Sequence, residues 1–202
     1  MAHTKGRAVK LEHAFEVPAS PKQTLELMLD AERVVPCMPG AKLVEVVDDA
    51  TWKAAMGVKL GPVSLQFLVD VKLLERDESS NTVTLGVSGR DTRGKGGADG
   101  TVISVLTPEG TGTRVAMETD LRFSGQVAQL GRPGVVQDVS NKLVDQFASC
   151  IKAQLSGDPE AAKEALDESG KPISGASMMI TALGSTAKNL FGRDRGHEEE
   201  SK

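Results

Sequence analysis

The strongest constraint in this sequence is a change of period. From Leu43 to about Ser124 the apolar residues recur at every second position, the repeat of a strand with one face buried. Strands are expected near 41–48, 51–58, 62–75, 81–91, 99–107 and 112–124, with turns at Gly61-Pro62, Asp77–Asn81, Gly94–Gly97 and Glu109–Gly112. The last strand is the clearest. Val115, Met117, Thr119, Leu121 and Phe123 alternate with Arg114, Ala116, Glu118, Asp120 and Arg122. One face is therefore wet, as in a single antiparallel sheet covered on one side. After it the period becomes helical: Val136, Val139, Leu143, Phe147, Cys150 and Ile151 recur at three and four over about 127–155, with Gly131, Pro133 and Gly134 interrupting the first turns.

Before the sheet, Leu11, His13, Phe15 and Val17 alternate with Glu12, Ala14 and Glu16, which reads as a further strand. Ser20, Pro21 and Gln23 form a capping-box start for a short helix carrying Leu25, Met28 and Leu29. Val34–Gly40 is proline-rich and reads as a helical turn and stop. The order is one strand, two short helices, six strands and one long helix. It defines an α+β fold, a curved antiparallel sheet of about seven strands gripping a C-terminal helix.

The chain divides into a folded domain at 9–155, a polar linker at 156–172 and an amphipathic tail at 173–195. In the linker, Asp158-Pro159 offers a cap for a short polar helix, and Glu160, Glu164, Asp167 and Glu168 leave little to bury. In the tail, Ile173, Ala176, Met179, Ile180, Leu183, Ala187, Leu190 and Phe191 follow helical spacing, with serines, Thr181 and Lys188 on the other side. Lys188 and Arg193 contribute to a net charge of about +3 over 171–195. Such a stretch fits an interfacial helix that binds reversibly. Gly175 and Gly184 each cost about 1 kcal/mol of helix propensity, so the helix forms on contact with lipid or a partner. The expected membrane contacts are Ile173, Met179, Ile180, Leu183, Lys188, Leu190, Phe191 and Arg193.

Several function classes are excluded. A formal charge of −4 over 202 residues argues against general nucleic-acid binding. Gly89–Gly96 approaches a phosphate-binding loop, but Gly96 stands where a hydroxyl is needed and a strand pattern follows instead of a helix. His13 is the one histidine outside the ends of the chain, so a histidine metal site or nucleophilic triad lacks parts. No metal site and no catalytic residue are expected. His13 itself reads as a satisfied inward histidine. Cys37 and Cys150 are too few for a disulfide framework and too far apart for a CxxC motif; both read as unpaired structural residues in a reducing, cytoplasmic setting. No apolar run reaches membrane-spanning length, and the first residues lack the apolar core of a secretory signal.

Inward candidates on the strands are Phe15, Trp52, Met56, Phe67, Val69, Leu85, Met117, Leu121 and Phe123. Val35 and Met38 join them from the proline-rich turn, and Val139, Leu143 and Phe147 from the long helix. They are either an ordinary core or the lining of a hollow, and periodicity does not separate the two.

These residues also resemble a known family. Val34-Val35-Pro36-Cys37-Met38-Pro39-Gly40-Ala41, Gly57-Val58-Lys59-Leu60-Gly61-Pro62, Gly97-Ala98-Asp99-Gly100, Gly112-Thr113-Arg114, Gly125–Gly131 and Phe147 are similar, in order and spacing, to the carbon monoxide dehydrogenase G-subunit family of the START/SRPBCC helix-grip superfamily. The resemblance implies an apolar cavity between sheet and long helix; alternation then makes the fourteen inward candidates above its expected lining, with a mouth expected near 33–40 and 125–135. The resemblance also implies partnership with molybdenum-containing carbon monoxide dehydrogenase at the cytoplasmic face of the membrane, peripheral to it. It implies a bound isoprenoid quinone, menaquinone or ubiquinone, carried without catalysis. An assembly or recruitment factor without ligand is one alternative, and a passive lipid-binding module with no redox partner is a second. Another is a small cyclase or hydrolase, which would need a polar set begun by His13, Glu118 or Arg33.

Overall fold

The computed structural model describes residues 7–60, 63–130 and 133–170. The tail at 173–195, with its expected membrane contacts, lies outside the described residues, as does the Gly61-Pro62 turn. Strand β1 (Arg7–Val17) leads into helix α1 (Pro21–Leu29), α2 (Ala31–Val34) and a 3-10 turn at Val35–Cys37. Six strands follow: β2 (Ala41–Asp48), β3 (Thr51–Leu60), β4 (Val63–Asp77), β5 (Thr82–Asp91), β6 (Gly96–Glu109) and β7 (Gly112–Gly125). Helices α3 (Val127–Leu130), α4 (Pro133–Leu155) and α5 (Pro159–Ser169) complete the described chain.

All seven strands form one antiparallel sheet in the order β1-β7-β6-β5-β4-β3-β2. From β2 to β7 each strand pairs with its sequence neighbours. The long closure is β1 onto β7, where Leu11 faces Thr119 and Phe15 faces Val115. The alternation read from the sequence sets this register: Leu11, Phe15 and Val17 are buried, while Glu12, Ala14 and Glu16 are exposed. A one-residue slip would turn that set outward.

The expected capping box is present. Gln23 N–H donates to Ser20 Oγ at 3.4 Å, and Ser20 N–H donates to Gln23 Oε1 at 3.2 Å. The long helical pattern is carried by α3 and α4, on either side of residues 131–132. Glycine is required where β6 starts and β7 ends. Gly96 (φ 118°) faces Gly125 (φ 63°), and a side chain on either would meet the other strand's backbone. From this close approach Val127 N–H donates to Lys95 O at 3.1 Å and starts α3.

Two expectations are corrected. Cys37 and Cys150 are not unpaired. They form a disulfide with a Cα–Cα distance of 5.4 Å, and both are fully buried. Their separation of 113 residues hides the pairing from local motifs. It arises because the last turns of α4 run under the proline-rich turn. The inference of a reducing setting rested on unpaired cysteines and loses that support. Secondly, the 156–172 segment is not a solvated linker throughout. Asp158 Oδ1 caps α5, accepting from Glu160 and Ala161 N–H at 3.0 and 3.2 Å. Ala165 and Leu166 pack on the core, Ser169 is buried, and Gly40 N–H donates to Ser169 O at 3.0 Å. The charges face water while the short apolar side chains between them face α4.

In the β5–β6 turn, amides of the Gly89–Gly96 stretch are engaged by a neighbouring carboxylate. The buried carboxylate of Asp91 accepts from the turn's Arg93 and Lys95 N–H at 3.0 and 3.1 Å and from Gln66 N–H on β4 at 3.3 Å. Burial pushes the Asp91 carboxyl up, but the amides of Lys95, Gln66 and Arg93, with the Lys95 charge, outweigh it and hold it below its ordinary value of 3.8. A carboxylate lowered on folding contributes stability above its unfolded value, and that contribution fades as pH falls through the lowered folded value. Asp91→Asn should therefore destabilise the protein at neutral pH and flatten the fall of stability below about pH 4. Urea melts between pH 2.5 and 7 check this; parallel curves for the variant and the native chain would contradict it.

Candidate functional site

Between the concave sheet face and α4 lies a cavity of about 460 Å³. The depth of each lining residue follows from register. On β7, Met117, Thr119, Leu121 and Phe123 climb from the buried core residue Val115 toward α3; on β6, Ser104, Val102 and Ala98 climb beside them from Leu106. Strands β3, β4 and β5 add Trp52, Met56, Phe67, Val69 and Leu85. Helix α4 closes the space with Val135, Val139, Ser140, Leu143 and Phe147, and Val35 and Met38 wall one side.

All the inward candidates line this space except Phe15. That ring lies below it, edge-on to Phe147 with centroids 6.0 Å apart, inside the packed cluster of Leu25, Leu27, Val83, Leu106 and Ile151. Phe15 is thus part of the floor's foundation. Alternation gives the face of a strand but not the height at which packing stops. Sequence reasoning also missed Leu11, Met28, Val58, Val87 and Val102, which line the cavity too; the four strand residues among them share the same alternation and were legible by it.

The mouth is narrower than expected. The 33–40 side is laced shut by the disulfide, by Gln154 Nε2 donating to Arg33 O at 3.0 Å, and by the Gly40–Ser169 bond. On the other side, Val135 lines the cavity and is 39% exposed near the start of α4.

The lining carries no charged side chain among the described residues. Its polar side-chain groups are the indole N–H of Trp52 and the hydroxyls of Ser104, Thr119 and Ser140. His13 sits at their edge. Its Nε2 lies 3.1 Å from Asn141 Oδ1 and 3.2 Å from Ser140 Oγ, so it is the satisfied histidine expected from the sequence. Glu118 and Arg33 are exposed and do not line the cavity. No group of three or more potential metal ligands occurs among the described residues.

A seven-stranded antiparallel sheet wrapped on a long C-terminal helix over a cavity is the helix-grip architecture of START- and Bet v 1-like proteins. Solved structures share it. A conserved protein from Geobacillus kaustophilus aligns with a TM-score of 0.65 at 17% identity, over 73% of this chain and 95% of that one. Ara h 8.0201 aligns with a TM-score of 0.51 at 16% identity, over 75% of this chain and all of that one. At such identities the likeness concerns the fold. No curated protein sequence matches significantly. The family model for the G-subunit of carbon monoxide dehydrogenase (CoxG) matches residues 14–156, and the chain belongs to that family. The family's name associates its members with carbon monoxide dehydrogenase. No helix among the described residues is long and apolar enough to cross a membrane.

Proposed function

We propose that this protein is a non-catalytic carrier of a lipophilic ligand, an isoprenoid quinone such as menaquinone or ubiquinone. In this reading it serves a molybdenum-containing carbon monoxide dehydrogenase, with the 173–195 tail as its reversible anchor on the cytoplasmic face of the membrane. The observation that carries the reading is the cavity, whose volume lies in the range of small-molecule sites and whose wall is aliphatic and aromatic with three hydroxyls. Each buried methylene contributes about 0.8 kcal/mol, so a few isoprene units supply the roughly 8 kcal/mol of micromolar affinity. A longer chain would extend past Val135 into solvent, lipid or the partner.

The test is extraction of protein purified without detergent from a quinone-producing bacterium, followed by mass spectrometry. A stoichiometric isoprenoid quinone is expected. Protein that is empty, and stays empty after incubation with quinone-loaded liposomes, would overturn the carrier reading in favour of an assembly factor. For the anchor, truncation after Gly170 keeps α5 and removes the tail. Loss of co-sedimentation with anionic liposomes is expected, and unchanged sedimentation would refute the tail's role.

A further inference from the structure

The three hydroxyls of the cavity are not scattered over its wall. Ser104 is opposite Met117, and Met117 is opposite His13, in one row across β6, β7 and β1. Thr119 is one inward position above Met117, and Ser140 meets His13 from α4. Phe67, Val69 and Leu85, on the opposite strands, supply only apolar side chains. The polar row lies low in the cavity, directly above the core residues Leu106 and Val115. Ser104 is 2% exposed, and neither its hydroxyl nor that of Thr119 takes part in the side-chain hydrogen bonds of the described residues. Neither oxygen is sealed in the packed core, so each opens onto the cavity and is free to donate to an acceptor placed there.

The third hydroxyl is also available. Asn141 Oδ1 accepts from Gln137 Nε2 at 2.8 Å and lies 3.1 Å from His13 Nε2. An oxygen there requires the Nε2–H tautomer of the histidine. That N–H is shared between Asn141 Oδ1 and Ser140 Oγ, so Ser140 accepts from it and keeps its own hydrogen to donate into the cavity.

We infer that the cavity takes its ligand carbonyl end first, with Ser104, Thr119 and Ser140 as donors to carbonyl oxygens above the floor and the hydrocarbon chain leading out past Val135. The inference rests on the lipophilic-carrier reading and adds to it an orientation of the ligand and the hydroxyls that hold its carbonyl head. His13 is a positioning residue, acting through Ser140.

The test equilibrates full-length protein with liposomes carrying either a naphthoquinone with four isoprene units or squalene, a hydrocarbon without oxygen, and quantifies the bound ligand. Ser104→Ala, Thr119→Val and Ser140→Ala should each weaken the naphthoquinone by about tenfold, the equivalent of 1.4 kcal/mol, and leave squalene unchanged. The carbonyl stretch of the bound naphthoquinone should be shifted down in the native protein and return toward its hydrocarbon-solvent frequency in Ser104→Ala. Equal losses for both ligands, or a carbonyl band that no variant moves, would overturn the inference while the carrier reading stands. A native protein that binds neither ligand would overturn both. Ser104→Ala removes an unpartnered hydroxyl, so its melting temperature should not fall, which separates lost binding from lost folding.

Discussion

Removing the Cys37–Cys150 disulfide will lower the stability of this protein by about 3–5 kcal/mol. The bond joins residues 113 apart, and constraint of the unfolded chain grows with the length of the closed loop. For a domain of this size that corresponds to a fall in melting temperature of roughly 10 °C. Both cysteines are fully buried, so reductant reaches them only through opening of the structure. The Cys37→Ala/Cys150→Ala variant, compared by thermal denaturation, is therefore the cleaner measurement. A difference below about 1 kcal/mol would show that the two sulfurs lie together without constraining the chain. The bond also has a place in the site. It ties the Val35–Cys37 turn, which walls the cavity, to the end of α4, which roofs it. The variant should release a bound lipophile faster as well as melt earlier.

Phe147→Ala should cost about 3–5 kcal/mol. The ring is 6% exposed and stands edge-on to Phe15, with Ile151, Val115 and Leu106 in the same cluster. Its loss opens the packed floor into the cavity above. Val87→Ala is the control. Val87 also lines the cavity, but its methyls border space that already lacks partner atoms, so few contacts are lost and the cost should be about 1 kcal/mol or less. Urea denaturation of the two variants measures the contrast. Equal costs would mean that the space above Phe147 is not a cavity in solution.

That contrast marks where the legibility of the sequence ends. Residues facing the floor and residues facing the void alternate identically along β7, from Val115 to Phe123. Burial of a face is a property of the strand, whereas the height at which side chains cease to meet depends on how far α4 stands from the sheet. Phe15 falls outside the lining for this reason, and Ser104 is hard to single out on a strand whose alternation is weakened by Gly97 and Gly100. The resemblance to the family rests largely on glycines and prolines, which shape turns such as Gly96–Gly125 and identify no ligand contact.

By itself the sequence determined the elements and their faces: the period-two strands, the stripe of α4 and the Ser20 capping box. These are set by interactions within a few residues, which local chemistry dictates. The tertiary structure alone decided the Cys37–Cys150 pairing, the docking of α5 through Ala165 and Leu166, the closure of the 33–40 side, and the row of hydroxyls above the floor. Each of these joins residues far apart in the chain, and no local pattern carries the distance between them.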